Sequence, residues 1–155
     1  MDLETLGLLG VFLAGAIPWF EAIAVVPAGI LFGLNPLLTV IAGVTGNAVT
    51  IFIFAYGGHA IRSRLLARRV AKGLEGESPR FLKAQASFDR WGIYGLAVLG
   101  PIIIGTQFVA LIAVAAGLKP LKVSLIVTIG TTAWAGLIAI LMVVFGFDQL
   151  GLAFA

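Results

Sequence analysis

The sequence predicts an all-α integral membrane protein, built as an inverted repeat in which each half is a re-entrant helical hairpin followed by one full transmembrane helix. Three observations lead there. Apolar residues make up 61% of the 155-residue chain and charged residues only 11%, with a mean hydropathy of +1.13. A soluble domain averages about 45–50% and about 25%. The excess runs along the whole chain, so one buried core helix cannot account for it. Second, two apolar runs are long enough to cross a bilayer and four are too short. Third, the second half of the chain repeats the glycine and proline spacing of the first.

The elements follow from the helix breakers and charges. Leu3–Ile17 is apolar and stops at Pro18. Glu21–Phe32 stops at Gly33-Leu34-Asn35-Pro36, a turn sequence. Leu37–Ile61 is a long apolar run, after which Arg62–Arg90 carries eight basic and three acidic residues. Trp91–Leu99 stops at Gly100-Pro101, Thr106–Leu118 at Lys119-Pro120, and Leu121–Phe147 is a second long run charged only at Lys122. Crossing a core of about 30 Å takes about 20 helical residues. The two long runs suffice; the four short pieces pair across their breaks as hairpins that dip in and return, which is tolerated where freed backbone faces protein or water. The expected organisation is repeat 1 at 1–61 (hairpin 3–33, transmembrane helix 36–61), a basic linker at 62–90, and repeat 2 at 91–155 (hairpin 91–118, transmembrane helix 121–147).

Gly7, Gly10 and Gly15 recur as Gly92, Gly95 and Gly100, and the block Gly33-Leu34-Asn35-Pro36-Leu37 as Gly117-Leu118-Lys119-Pro120-Leu121, with Gly46 matching Gly130. Glycine is common in transmembrane helices, so some coincidence is expected; the nearly constant offset favours duplication. One hairpin plus one span is an odd number of crossings, so the second copy inserts upside down. All ten Lys and Arg lie between Arg62 and Lys122, and cytoplasmic loops collect such residues. The basic loop 62–90 is therefore expected in the cytoplasm with Lys119 and Lys122, and both termini outside. The N-terminus lacks the basic start of a signal peptide and is expected to be retained.

Function is sought where a chain this apolar keeps polar groups. Glu21 sits between Pro18 and Pro27, at the expected tip of the first hairpin, while Pro101, Thr106 and Gln107 mark the tip of the second. Inverted repeats with broken helices hold their sites where half-helix ends meet near the midplane. A carboxylate there costs about 2.5–3.5 kcal/mol on insertion scales and is a functional hypothesis by default. It is a candidate proton carrier; it also fits the N-cap of the Ala22–Phe32 helix, its charge satisfied by backbone amides. Asn47 after Gly46, and Thr131 and Thr132 after Gly130, lie at matching levels of the long helices, able to line a path or to pack helices together. Trp19, beside the tip, is a candidate substrate contact, whereas Trp91 and Trp134 read as interface anchors. His59, near the end of its helix beside Tyr56, fits an interfacial role better than a proton relay.

Other classes are excluded or disfavoured. There is no cysteine, hence no disulfide and no thiolate metal site. The single histidine has no acid near it in sequence and no nucleophile motif appears, so an enzyme, a cofactor and a metal centre are not expected. Ile61-Arg62-Ser63-Arg64-Leu65-Leu66-Ala67-Arg68-Arg69-Val70 fits an amphipathic helix on an anionic leaflet. It lacks the base-stacking or recognition module of a nucleic-acid binder.

The stretch PWFEAIAVVPAGILFGLNPLLTVIAGVTGN resembles the first half of the small multidrug export protein family, itself similar to a distant branch of the DedA/VTT membrane proteins. The family's pattern falls on Glu21, Pro27, Gly33, Asn35, Pro36, Gly46 and Asn47. In the second half, FDRWGIYGLAVLGPIIIGTQFVALIAVAAGL is similar to its second hairpin through Pro101, Gly105 and Thr106. Two departures stand out: Ile23 occupies a position where the family often has Arg, and no Arg lies between Trp91 and Leu118. Glu21 thus has no intramembrane cation to pair with, which argues against a DedA-like phosphate-lipid site and leaves a proton or a cationic substrate to supply the charge. The expectation is a small exporter in a prokaryotic inner membrane. It would move an amphipathic or lipid-like substrate by exchange with protons at Glu21, as a homo-oligomer among membrane lipids. The alternatives are a lipid translocase or scramblase and a non-transporting assembly factor.

Overall fold

The computed structural model describes residues 2–73, 92–103 and 105–146, with all their side chains except Pro101 and Ile103. Among these residues there are six helices and no strand: α1 Leu3–Gly15, α2 Ala22–Leu31, α3 Pro36–Ala71, α4 Ile93–Ile103, α5 Thr106–Ala115 and α6 Pro120–Val144. The chain divides into two compact units, residues 1–50 with 128–155, and residues 51–127. Helices α3 and α6 are each shared between them.

Two helices are long and apolar enough to cross a membrane, α3 and α6. A core helix of a soluble protein would be mostly buried, yet only 33% and 28% of their most apolar windows are. Ile53, Ile129 and Ile140 point outward at 60% exposure or more. Apolar helices that present their side chains this freely need lipid around them.

In the first unit, α1 starts on Asp2, whose carboxylate accepts the Thr5 amide at 2.8 Å. Hydrogen bonding by the Thr5 side chain, and then by its amide, holds the Asp2 carboxyl below its ordinary range and so keeps an anion at the positive end of the helix. Helices α1 and α2 return on each other through a tight turn, Ile17 to Phe20, closed by the Phe20 amide on the Ile17 carbonyl at 3.1 Å. Pro18 takes the second position and Trp19 the third with φ +84°, the pattern of a type II turn whose third residue is normally glycine. Buried Ala22, Val26 and Ile30 of α2 pack with Ala135, Ala139 and Met142 of α6, with Val40 and Val44 of α3 alongside. An apolar groove of about 430 Å³ runs between α1 and α2, lined by Gly7, Gly10, Ala14, Ala28 and Gly29 among others.

In the second unit, Gly105 (φ +96°) precedes α5. Its amide reaches back to the Gly100 carbonyl at 2.8 Å, closing α4. The core joins Ile51 and Ala55 of α3, Ile93 of α4, Val109, Ala110, Ala113 and Val114 of α5, and Val123 and Val127 of α6. Phe54 meets Phe108 edge-on at 6.1 Å and Gly58 lies under Leu111, so this part of α3 runs parallel to α5.

The same device ends α2 and α5. The Gly33 amide reaches Ile30 and the Leu34 amide reaches Gly29, just as Gly117 reaches Val114 and Leu118 reaches Ala113. Each is a Schellman closure around a left-handed glycine, with φ +82° at Gly33 and +104° at Gly117. Helices α2 and α5 are both ten residues long, and α3 and α6 both start on the proline that follows.

Four boundaries differ from expectation. Helix α3 does not end at Ile61: Arg, Leu and Ala are good helix formers, so it continues through Arg62–Arg69 to Ala71. At 36 residues it is about 54 Å long, and residues 62–71 extend its axis as a stem, not as a separate surface helix. Pro101 lies inside α4, not in the turn; in the last turn its missing amide costs one bond, which Gly105 offsets by closing on Gly100. Helix α6 ends at Val144, before the left-handed Gly146. The compact units also cut across the two sequence halves. Linker residues 74–90, Trp91, Ile104 and the segment from Phe147 onward lie outside the described residues.

Candidate functional site

The site in the first unit is made by a close helix crossing. A Cβ on Gly15 would fall 2.5 Å from the Gly43 carbonyl oxygen, and one on Gly46 would collide with the Phe12 carbonyl. Two glycines one turn apart on α3 therefore let the end of α1 lie directly on its backbone. Helix α2 packs against α3 as tightly, with Gly29 under Thr39 and Val26 against Gly43. The contacts step in opposite directions along the two chains, so α2 runs antiparallel to α3 and its start comes level with Asn47.

Glu21 occupies that start. Its backbone is the N-cap of α2, with φ −64° and ψ 150°, but its side chain makes no capping bond to the helix. The carboxylate instead accepts a hydrogen bond from Asn47 Nδ2 at 3.3 Å on Oε2. Both residues are buried, Glu21 at 8% exposure and Asn47 at 0%. Thr50, one turn further, donates its hydroxyl to the Asn47 carbonyl at 2.9 Å. Glu21 thus caps α2 through its backbone while its side chain turns to Asn47.

Asn47 is eleven residues past Pro36, about 17 Å along the axis. The stretch Pro36–Ile61 carries no Asp, Glu, Lys or Arg, and Asn47 lies near its middle. The first unit's described residues hold three acids, Asp2, Glu4 and Glu21, and no Lys or Arg.

The other expected residues divide between the units. Pro18 and Trp19 form the turn just before Glu21; Trp19 is 78% exposed. Thr131 is buried on α6 in the first unit, one turn before Ala135, which packs in the α2 core. Thr132 is exposed and bonds the Thr128 carbonyl of its own helix at 2.8 Å. Thr106 and Gln107 begin α5 in the second unit and are both fully buried. His59 is exposed, its carbonyl accepting from Ser63 at 2.9 Å. Sequence reasoning missed Gly43, Phe12 and Thr50. The Gly43-x2-Gly46 spacing was the available signal, diluted among twenty glycines.

A helical membrane protein with a buried acid–amide pair at a hairpin turn is the class these features define. The chain belongs to the family described as Putative small multi-drug export protein, whose model matches residues 21–144. That match begins at Glu21 and takes in Asn47, both closing turns and all of α6. It carries the export family alone; the DedA/VTT likeness rests on the sequence motifs. No curated protein and no solved structure matches the chain.

Proposed function

We propose that the protein is a proton-coupled membrane exporter of an amphipathic or lipid-like substrate, with Glu21 exchanging a proton for substrate. The observation that carries this reading is the Glu21–Asn47 pair, held at 3.3 Å near the middle of the charge-free stretch Pro36–Ile61 of α3. An acid buried in lipid is expensive and is retained for use, and a proton or a cationic substrate is the kind of partner it can exchange. Asn47 supplies a donor to the ionised form and can accept from the protonated one, so both states are accommodated. The exposed Trp19, held at positive φ in the turn, lies two residues before the acid and is the aromatic surface a substrate would meet.

In this reading α1–α2 and α4–α5 are re-entrant hairpins in inverted arrangement. The matching closures at Gly33 and Gly117 support it, as does the first turn's stopping beside Asn47, about 17 Å into α3. Charge supports the orientation: residues 51–127 hold all ten Lys and Arg against three acids, whereas residues 1–50 with 128–155 hold four acids and no Lys or Arg. The basic end of α3 then faces the cytoplasm of a prokaryotic inner membrane, with Pro18 and Pro101 as points of rearrangement. The protein works as a homo-oligomer, since two spans give little protein to enclose a path.

The test is efflux of an amphipathic fluorescent dye from proteoliposomes, with and without an imposed pH gradient, for wild type and Glu21→Gln. Gradient-driven efflux by wild type alone is expected. Equal rates in all four conditions would remove proton coupling.

A further inference from the structure

We propose that the stem of α3 beyond Ile61 is a docking surface for anionic phospholipid headgroups. The stem is helical to Ala71 and Lys72 follows in its closing turn. Arg64, Arg68 and Lys72 recur at i, i+4 and i+8 and are all exposed, so they form one ridge. Ile61 and Leu65, 57% and 56% exposed, lie on the same face. Arg62, Leu66 and Arg69 share another face and are half-buried.

Level within the unit adds to the ridge. Because α5 runs parallel to this part of α3, the chain leaving α5 reaches Lys119 and Lys122 at the Arg62 end. Residues 51–127 hold all ten Lys and Arg of the chain against three acids, Glu75, Glu77 and Asp89, and seven of those cations lie among the described residues, mostly at one end. Such an excess of one sign attracts anions.

The exposed Ile61 and Leu65 decide between anions. A soluble polyanion gains nothing from them, and among the described residues no aromatic side chain shares the ridge for bases to stack on. A bilayer surface takes both, with the aliphatic groups entering the acyl boundary and the long cations reaching phosphate by snorkelling. The ridge also continues a helix long and apolar enough to cross a bilayer, so its Ile61 end begins where the apolar stretch stops.

The experiment uses the purified full chain in neutral detergent, its melting followed as phosphatidylglycerol or phosphatidylcholine is titrated in. Phosphatidylglycerol should raise the melting temperature at concentrations at least ten-fold lower than phosphatidylcholine. The triple variant Arg64→Gln, Arg68→Gln, Lys72→Gln should need about 100-fold more phosphatidylglycerol, at about five-fold per cation. The charge-preserving variant Arg64→Lys, Arg68→Lys should behave as wild type, and high salt should erase the preference in wild type. Equal responses to the two lipids, identical titrations by the triple variant, or a preference that survives high salt would overturn the proposal. So would inorganic phosphate acting at the same concentration as phosphatidylglycerol.

Discussion

Asn47 Nδ2 lies 3.3 Å from Glu21 Oε2, across 26 residues of sequence, and the two side chains shield each other from their surroundings. Removing one partner is therefore not equivalent to removing the other. Asn47→Ala leaves a buried carboxylate without this donor and is expected to destabilise by about 1–3 kcal/mol. Glu21→Gln keeps the shape and a hydrogen bond and removes the charge, so it should melt at or above wild type. Thermal unfolding in detergent measures both; a Glu21→Gln variant less stable than Asn47→Ala would contradict the assignment.

The crossing of α1 on α3 makes a second contrast. Gly46→Ala forces a methyl group into the Phe12 carbonyl and should cost about 1–3 kcal/mol by overpacking. Gly10→Ala meets nothing within 4 Å and should leave the melting temperature unchanged or raise it, since alanine favours helix by up to about 1 kcal/mol. Similar losses from both substitutions would argue against the crossing.

Gly33 and Gly117 end α2 and α5 in the same left-handed conformation. Alanine at either should cost about 1–2 kcal/mol. The two variants should lose nearly equal stability, because the closures are the same; a harmless substitution at one of them would break the correspondence between the halves.

Trp19 holds a conformation that bulky residues rarely adopt, at a cost on the order of 1–3 kcal/mol. Trp19→Gly should not lower the melting temperature, yet should slow dye efflux in the proteoliposome assay. Undiminished efflux would leave the strained tryptophan without a role in transport.

Topology is checked by cysteines placed singly at positions 35 and 119 and labelled with a membrane-impermeant reagent. Asn35→Cys and Lys119→Cys should react from opposite faces. Labelling of both from one face would defeat the inverted arrangement.

Much of this was legible in the sequence because Pro and Gly act locally. The turn at Pro18, the closures at Gly33 and Gly117 and the starts at Pro36 and Pro120 are each fixed by one or two residues' backbone geometry. The stem of α3 was not, because charge marks where a helix leaves lipid and does not end it. Pro101 misled for a related reason, as a proline in a last turn costs only one bond. Glu21 and Asn47 were each singled out by polarity, but their pairing needed the packing of α2 on α3, which depends on Gly43 and Gly46.

The compact units and the sequence halves do not coincide. The first hairpin packs with the end of α6, a helix belonging to the other half. Neither half expressed alone carries a complete hydrophobic seat for its own hairpin, so fragments severed in the basic segment should be recovered only when synthesised together.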